Sequence, residues 1–441
     1  MKLTKLSLIA AMLIGSSAFA IENTKVSGDI NLFYGTMHSD GGTYGGASTD
    51  LFDAAGAYGD ISVNLELTTD LTKGVSAGAK VTYVTTLGLE NNLVENTWSN
   101  THAVTSNQAA SFATRAQLDD AMYMGELWVA GTAMDTTLKV GRQSLDTPLA
   151  FTESWGVDAN TFEAAVVINQ SLPDTTLIGA YVGKSNGSAD DLNATGHKNN
   201  TGLNSVAGYA TAAQAGYMAQ EGKFNTFGTN GVYVAGLINN SVEPLTVQAW
   251  YYSLQQLADA IWLQADLNVD GILLGAQYTE VDVDAGTNKD EAYSFMVGYE
   301  AKDMVTIKAA YSSVDEDGTI GVANVATGNG NSRNGAGAQS KLYTEMWWAY
   351  GSVSAIGADS WSVTAETTVA GIDLFAGYYK ADIDPTGATD EEMTEIALTA
   401  TKSFGPLDTS LAIILDDFED NAASTNNYQS NNLQVYLTYN F

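Results

Sequence analysis

The chain has 441 residues, and its 51 Asp and Glu against 18 Lys and Arg give a formal net charge of −33. This acidity excludes nucleic acid as a partner, because nucleic-acid binding needs a basic footprint. The composition is 45% hydrophobic with 22 Tyr and 13 Phe, which excludes a disordered acidic chain, and the lack of cysteine excludes disulfides and thiolate metal sites.

The amino terminus has the three parts of a secretory signal peptide. Lys2 and Lys5 precede an apolar run over residues 6–14, and Ala18-Phe19-Ala20 supplies the small residues of a cleavage site. We therefore expect residues 1–20 to be a signal peptide that is removed on export. No later stretch is apolar for about 18 residues, so the sequence predicts no transmembrane helix.

The rest of the chain consists of short segments in which apolar and polar residues alternate, as in β-strands with two different environments. Tight polar turns and long Gly-, Asn- and Ser-rich loops join these segments in alternation. The segments number about 18 and cover residues 26–34, 60–67, 75–83, 121–130, 136–143, 162–170, 176–184, 229–239, 245–254, 259–268, 271–281, 290–300, 304–314, 361–370, 372–382, 392–402, 408–417 and 431–441. Residues 341–351 could form another strand, so a misassignment would give a count of 16 or 20.

This pattern predicts an all-β fold, a transmembrane antiparallel β-barrel with short periplasmic turns and long extracellular loops. Residues 21–441 form one domain in this interpretation, located in the cell outer membrane and in contact with its lipid and lipopolysaccharide. The last strand alternates without a fault and ends in Phe441. We expect it to close the barrel and to be recognised by the barrel assembly machinery.

The alternation also predicts which charges face the lumen, because a charged side chain on the lipid face is costly. The acids on the polar side of their strands are Asp29, Asp60, Glu66, Glu126, Glu163, Asp266, Glu366, Asp373, Glu395 and Asp416, and the bases are Lys80, Lys139 and Lys308. An aqueous lumen with an excess of carboxylates attracts cations. Cation preference is therefore expected. The alternative is that many of these acids pair with the backbone or lie at the rims.

One block of sequence carries a family resemblance. It consists of GELWVAGT at 125–132, LKVGRQ at 138–143, a loop with Pro148, and TFEA at 161–164, with LYTEMWW at 342–348 and a terminal LTYNF. It resembles the OprD-like porins, particularly the major outer-membrane porins of epsilonproteobacteria. The resemblance implies an 18-stranded barrel, trimeric or monomeric, that passes small solutes by diffusion.

The resemblance also implies that the loop at residues 144–160 folds into the lumen and constricts it. The residues assigned to this constriction are Asp146, Glu153, Asp158 and Glu163 on the acidic side and Arg142 and Lys139 on the basic side, with Arg115 as a further candidate. Arg142 has the strand parity of Leu138 and Val140, so a bulge or strand end is needed to direct it inward. The alternative is a rim arginine bonded to loop carbonyls.

The sequence departs from the substrate-specific members of this family. These carry a ladder of basic residues that guides carboxylates, whereas this chain has three arginines, Arg115, Arg142 and Arg333. The departure favours a general porin.

Two other motifs give only weak indications of a catalytic or metal site. Residues 74–78 match G-x-S-x-G around Ser76, but they follow a tight turn and begin a strand, whereas a nucleophile elbow needs a strand–turn–helix context. Asp282, Asp284 and Asp290 lie in an acidic stretch that could bind calcium weakly, although it fails the EF-hand pattern. Solvated loops that bridge to lipopolysaccharide through divalent ions are the alternative.

The sequence thus predicts an outer-membrane porin for ions and small hydrophilic solutes, preferring cations, with no enzymatic activity and no cofactor. The alternative is a structural or adhesive surface barrel whose lumen is plugged.

Overall fold

The computed structural model describes residues 22–40, 48–99, 120–187, 222, 224–226, 230–255, 257–284, 286–325, 339–387, 389–421 and 427–441. The signal-peptide prediction for residues 1–20 and the residues Arg115 and Arg333 lie outside this part of the chain. Within it, nineteen strands form one sheet in which every pairing is antiparallel.

Eighteen of these strands make up the wall of the barrel, and β8 is a two-residue strand that pairs only with the end of β7. The strands are β1 (Glu22–Ser39), β2 (Ala57–Thr72), β3 (Val75–Thr85), β4 (Ala121–Ala133), β5 (Thr136–Gln143), β6 (Phe162–Leu172), β7 (Thr175–Ser185), β8 (Asn225–Thr226), β9 (Val232–Val242), β10 (Leu245–Leu254), β11 (Ala258–Val269), β12 (Ile272–Val283), β13 (Asp290–Ala301), β14 (Val305–Val314), β15 (Ala358–Val369), β16 (Ile372–Ile383), β17 (Glu391–Phe404), β18 (Leu407–Asp420) and β19 (Tyr428–Asn440).

The barrel is closed by the pairing of its first and last long strands. β1 pairs with β2 on one side and with β19 on the other, with Asp29 opposite Asn440 and Ser39 opposite Ser430. The backbone of Phe441 adds two further hydrogen bonds to Gly28, at 2.9 Å each. The predicted fold class, an antiparallel barrel of 18 strands, is confirmed.

Tight turns occupy one rim, where several hairpins reverse within two residues. Met134 and Asp135 join β4 to β5 with φ angles of +48° and +57°, the left-handed backbone that matches the twist of a hairpin. The described helices are three short 3-10 segments, and none has the length and apolarity to cross a membrane.

The two faces of the wall differ as alternation requires. On β18, Leu411, Ile413 and Leu415 are exposed on the outer face, while Ala412 and Ile414 are fully buried inside. The outer face also carries exposed aromatic side chains, including Tyr293, Phe295 and Trp361. An outer belt of this composition fits contact with lipid.

Among the described residues, two segments that fold back into the lumen from the long-loop rim bear on the site. The first inward segment (residues 144–161) reaches the wall through Val157, whose carbonyl accepts a hydrogen bond from Ser62 Oγ, and through the Leu149 amide, which donates to Tyr252 Oη. The second inward segment (residues 339–357) is held by Tyr343, which donates to Asp266. Both segments join the main buried apolar cluster of the barrel.

The alternative assignment of residues 341–351 to a strand is wrong. These residues lie in the second inward segment, which ends in a 3-10 turn at Tyr350–Ser354. No strand of the sheet includes these residues; Leu342, Met346, Ala349 and Tyr350 are buried, whereas Trp347 stays partly exposed. The strand count is therefore unchanged.

Two neighbouring positions on β17 test the face assignment. Leu398 is exposed on the outer face, whereas Thr399 faces the lumen. We expect Leu398→Arg to lower the free energy of unfolding in lipid by about 2–4 kcal/mol, because arginine is costly near the bilayer midplane. Thr399→Arg is the matched control and should cost clearly less. Equal losses in a urea titration of vesicle-embedded protein would contradict the assignment.

Candidate pore constriction

Most of the acids predicted to face inward do so. Asp29 accepts a hydrogen bond from Asn64 Nδ2 at 2.7 Å, inside the wall formed by β1 and β2. Asp60 is fully buried on the same face as Ser62. The remaining inward acids are Glu66, Glu126, Asp266, Glu366, Asp373, Glu395 and Asp416, and Glu163 is the exception.

Arg142 and Glu163 lie outside the lumen. Arg142 is paired with Leu127 across β4–β5 and with Glu163 across β5–β6. Directly paired residues share a face, and Leu127 is 55% exposed on the outer one. The strand register runs through Gly141 without a shift, so no bulge redirects Arg142 inward. The structure therefore contradicts the constriction assignment of both residues.

Arg142 instead belongs to a charged cluster on the outer wall. Its Nη2 lies 3.0 Å from Glu163 Oε1, and Lys184 Nζ lies 3.3 Å from Glu163 Oε2. Nη1 donates to the Met124 carbonyl, and the guanidinium lies 4.1 Å from the ring centroid of Phe224. The alternative of a rim arginine bonded to loop carbonyls is met only in part, because, among the described residues, the carbonyl that accepts from Arg142 is that of Met124 on β4.

Two acids of the first inward segment are buried. Glu153 accepts hydrogen bonds from Asn324 Nδ2 at 2.9 Å and from the Gln339 amide at 3.0 Å. Asp158 accepts one from Tyr123 Oη at 2.9 Å. Both carboxylates therefore bind neighbouring protein groups, which joins the inward segments to each other and to the wall.

Asp146 is the acid of this segment that faces open space. Its side chain is 84% exposed, and its Oδ1 lies 2.9 Å from Lys341 Nζ on the second inward segment. The Lys341 ammonium also lies 4.4 Å from the ring centroid of Phe151. An opposed acid and base from the two inward segments thus meet in the lumen.

The wall at the start of the first inward segment carries a row of alternating charges. Glu66 is opposite Lys80 across β2–β3, and Lys80 is opposite Glu126 across β3–β4. Glu126 accepts a hydrogen bond from Ser144 at the start of the first inward segment. Lys139 lies 4.3 Å from the ring centroid of Trp128. The inward orientation predicted for Lys139 agrees with this contact.

The second inward segment is anchored on a wall carboxylate. Glu395, fully buried on β17, accepts hydrogen bonds from three consecutive backbone amides, those of Trp347, Trp348 and Ala349, at 2.7–2.9 Å. Carboxylates that accept backbone N–H groups form strong charge-assisted bonds. Glu395 therefore fixes the position of this segment against the wall.

A further acid lies beside this anchor. Glu345 accepts a hydrogen bond from Ser340, while its buried Oε1 has no partner among the described residues. Burial, together with the nearby carboxylates Glu153 and Glu395, raises the pKa of the Glu345 carboxyl well above its usual range. Both causes disfavour the charged form of the Glu345 carboxyl.

Sequence reasoning missed the aromatic cluster at which three connections meet. Trp98, from the β3–β4 connection, stacks on Trp348 with ring centroids 4.8 Å apart and contacts Trp155 at 4.7 Å. Phe33 on the wall stacks on Trp98 at 5.3 Å. The available signal was the occurrence of tryptophans in connections that otherwise appear polar.

The acidic-loop residues do not converge. Asp282 lies 3.4 Å from Lys289 Nζ, and Asp290 accepts hydrogen bonds from the amides of Thr319, Ile320 and Gly321. The Asp284 amide bonds to Leu257. Across the described residues no group of three potential metal ligands is found, and calcium binding stays a prediction.

The G-x-S-x-G match lies far from His38, the one histidine among the described residues. Ser76 is paired with Asp70 at the short-turn end of β3, whereas His38 lies at the long-loop end of β1. His102 and His197 are outside the described residues.

Comparison with known proteins identifies the fold. The chain is similar to the Pseudomonas aeruginosa structure of OccK8 (OprE), with 16% identity and a TM-score of 0.65 over 96% of this chain and 100% of that chain. It is also similar to OccK9 (OpdG) from the same organism, with 12% identity and a TM-score of 0.65 over 95% of this chain and 99% of that chain. A third similar structure, OccK3 (OpdO), has 13% identity and a TM-score of 0.62 over 95% of this chain and 96% of that chain. No family model and no curated protein matches.

The shared architecture is the 18-stranded barrel of OprD-type outer-membrane porins. At these identities the likeness concerns the fold. The narrower resemblance to the porins of epsilonproteobacteria stays a prediction.

The Glu395 anchor can be tested by hydrogen exchange. We expect Glu395→Ala to accelerate exchange of the Trp347, Trp348 and Ala349 amides at least about tenfold, because hydrogen bonds to a charged acceptor contribute about 1.5–3 kcal/mol. Glu395→Gln should have a smaller effect. Glu366→Ala, which removes an exposed lumen carboxylate, is the control. Unchanged exchange in Glu395→Ala would show that other contacts hold the segment.

Proposed function

We propose that this protein is an outer-membrane porin that allows passive diffusion of ions and small hydrophilic solutes and prefers cations. The observation that most supports this proposal is the exposed Asp146–Lys341 pair, at which the two inward segments meet within a closed barrel. A barrel of about this strand number is wide enough for an aqueous lumen. Inward segments then narrow the lumen to a passage whose charges act on the solute.

Cation preference is supported by the balance of charges that face the lumen. Among the described residues, the inward acids that remain after Glu163 is removed exceed the bases on the same face, which are Lys25, Lys80, Lys139, Lys308 and Lys341. A water-filled tube with low-dielectric walls concentrates the field of such an excess and raises the local cation concentration. Salt screens this effect, so it is strongest at low ionic strength.

The buried acids are expected to contribute less to ion selectivity. Glu153, Asp158 and Glu395 are engaged with protein donors and are nearly inaccessible to solvent. The predicted role of Glu153 and Asp158 at the constriction thus becomes a proposal about shape, since both position the first inward segment. Asp146 carries the proposed direct effect on passing ions.

A plugged structural or adhesive barrel is the second candidate. The observation that favours it is the extensive burial of the inward segments, which pack Leu149, Ala150, Leu342 and Met346 into one apolar cluster with the wall. No catalytic activity is proposed in either case. A homotrimer, contact with lipopolysaccharide and recognition by the assembly machinery stay predictions from the sequence.

Conductance in a planar bilayer separates the two candidates. A porin should produce discrete current steps when purified protein is added to one side. In a salt gradient the reversal potential should have the sign for preferential cation flow, and the preference should weaken as salt rises. A barrel that inserts without current steps would favour the plugged alternative, and a chloride-selective reversal potential would refute cation preference.

Opposite charge changes at the Asp146–Lys341 pair test the constriction. We expect Asp146→Asn to lower the cation-to-anion permeability ratio and Lys341→Gln to raise it, each by about twofold or more, because a lumen charge acts at close range on a passing ion. The outward-facing Lys402, which lies beside Phe404, gives the control Lys402→Gln. If both lumen variants match wild type, the pair does not line the passage.

A further inference from the structure

A cavity lies under the second inward segment, toward the short-turn rim. Its volume is about 720 Å³, and its lining includes Trp347 above and Glu300, Glu366, Asp373 and Phe375 on the wall. The wall residues come from β13, β15 and β16, all on the lumen side of their strands. The cavity is large enough for a small organic molecule.

The cavity has the chemistry of a site for an organic cation. Glu366 is 51% exposed, and Lys308 Nζ lies 3.5 Å from its Oε1. Asp373 accepts one hydrogen bond, from Thr368 Oγ1. Glu300 adds a further carboxylate. These groups surround the cavity and do not converge on one point, which suits a large diffuse cation better than a compact metal ion.

Trp347 is the feature that indicates a ligand. Its side chain is 38% exposed although it lies inside the barrel, and its ring packs at 5.9 Å from Phe375. Its amide donates to the Glu395 anchor at 2.7 Å, so the backbone that presents the indole is held in place. An exposed indole among carboxylates binds organic cations through its ring face.

We propose that this cavity, formed by Trp347 with Glu300, Glu366 and Asp373, is a binding subsite for small organic ammonium ions. The inference deepens the proposed function, since it names a solute class for the lumen. An alkylated ammonium ion meets both requirements of the cavity, because its charge faces the carboxylates while its methyl groups cover the indole. A hydrated sodium ion leaves the indole exposed to water.

Equilibrium binding of choline tests the proposal without requiring conduction. Saturation-transfer NMR of the choline methyl protons is measured on the purified full-length mature protein in detergent, titrated with choline chloride. We expect saturable binding by wild type and a dissociation constant about tenfold higher in Trp347→Ala, in line with a desolvated cation–π contact. Trp347→Phe should lose less, because it keeps an aromatic face, and Glu366→Gln should also weaken binding.

Trp361→Ala is the matched control. Trp361 is a 41% exposed tryptophan on the outer face of β15, so its removal should leave choline binding unchanged. Absence of saturable binding by wild type, or equal binding by wild type and Trp347→Ala, would overturn the proposal.

The outcome is separable from that of the proposed function. If the protein binds choline but gives no current steps in the bilayer, the subsite proposal stands and the porin proposal fails. If it gives current steps but does not bind choline, the porin proposal stands and the subsite proposal fails.

Discussion

The structure depends on the requirement that every backbone N–H and C=O in the wall be paired within the protein, because hydrocarbon offers no alternative partner. Pairing β1 with β19 removes the two free sheet edges and meets this requirement. Closure also determines the register around the whole ring. A shift of one residue would turn a strand's apolar side chains inward and its charges outward, so the assignment of every side chain to lipid or lumen follows from it.

The same requirement explains how the inward segments are held. They are irregular backbone inside a barrel, and their amides need acceptors. Buried carboxylates supply several acceptors: Glu395 binds three amides of the second inward segment, and Glu153 binds the Gln339 amide of that segment. Asp290 binds three amides at 319–321, in the connection that follows β14, in the same way. Part of the acidity of the chain therefore serves as internal attachment, and only the exposed remainder can act on ions.

The division of the acids into buried anchors and exposed carboxylates distinguishes two places in the lumen with different proposed roles. Asp146 and Lys341 oppose each other in open space, and Trp347 and Glu366 border a separate cavity nearer the short-turn rim. The two places differ in chemistry, since one is a simple ion pair and the other combines carboxylates with an indole. Under the proposed function, the first influences the charge of passing solutes and the second retains one class of them.

The sequence by itself determined the strands, their number and most of their faces, because alternation is a local pattern and each strand meets the same two environments. It predicted that the loop at 144–160 enters the lumen only through a family resemblance, and it misplaced Arg142 and Glu163. The family resemblance placed Arg142 in the lumen although its parity with Leu138 and Val140 indicated the outer face. The unbroken register keeps it on that face, and Glu163 shares the face because the two residues are paired. The burial of Glu153 and Asp158 and the meeting of Asp146 with Lys341 were decided by tertiary structure, since these contacts join residues that only barrel closure brings together.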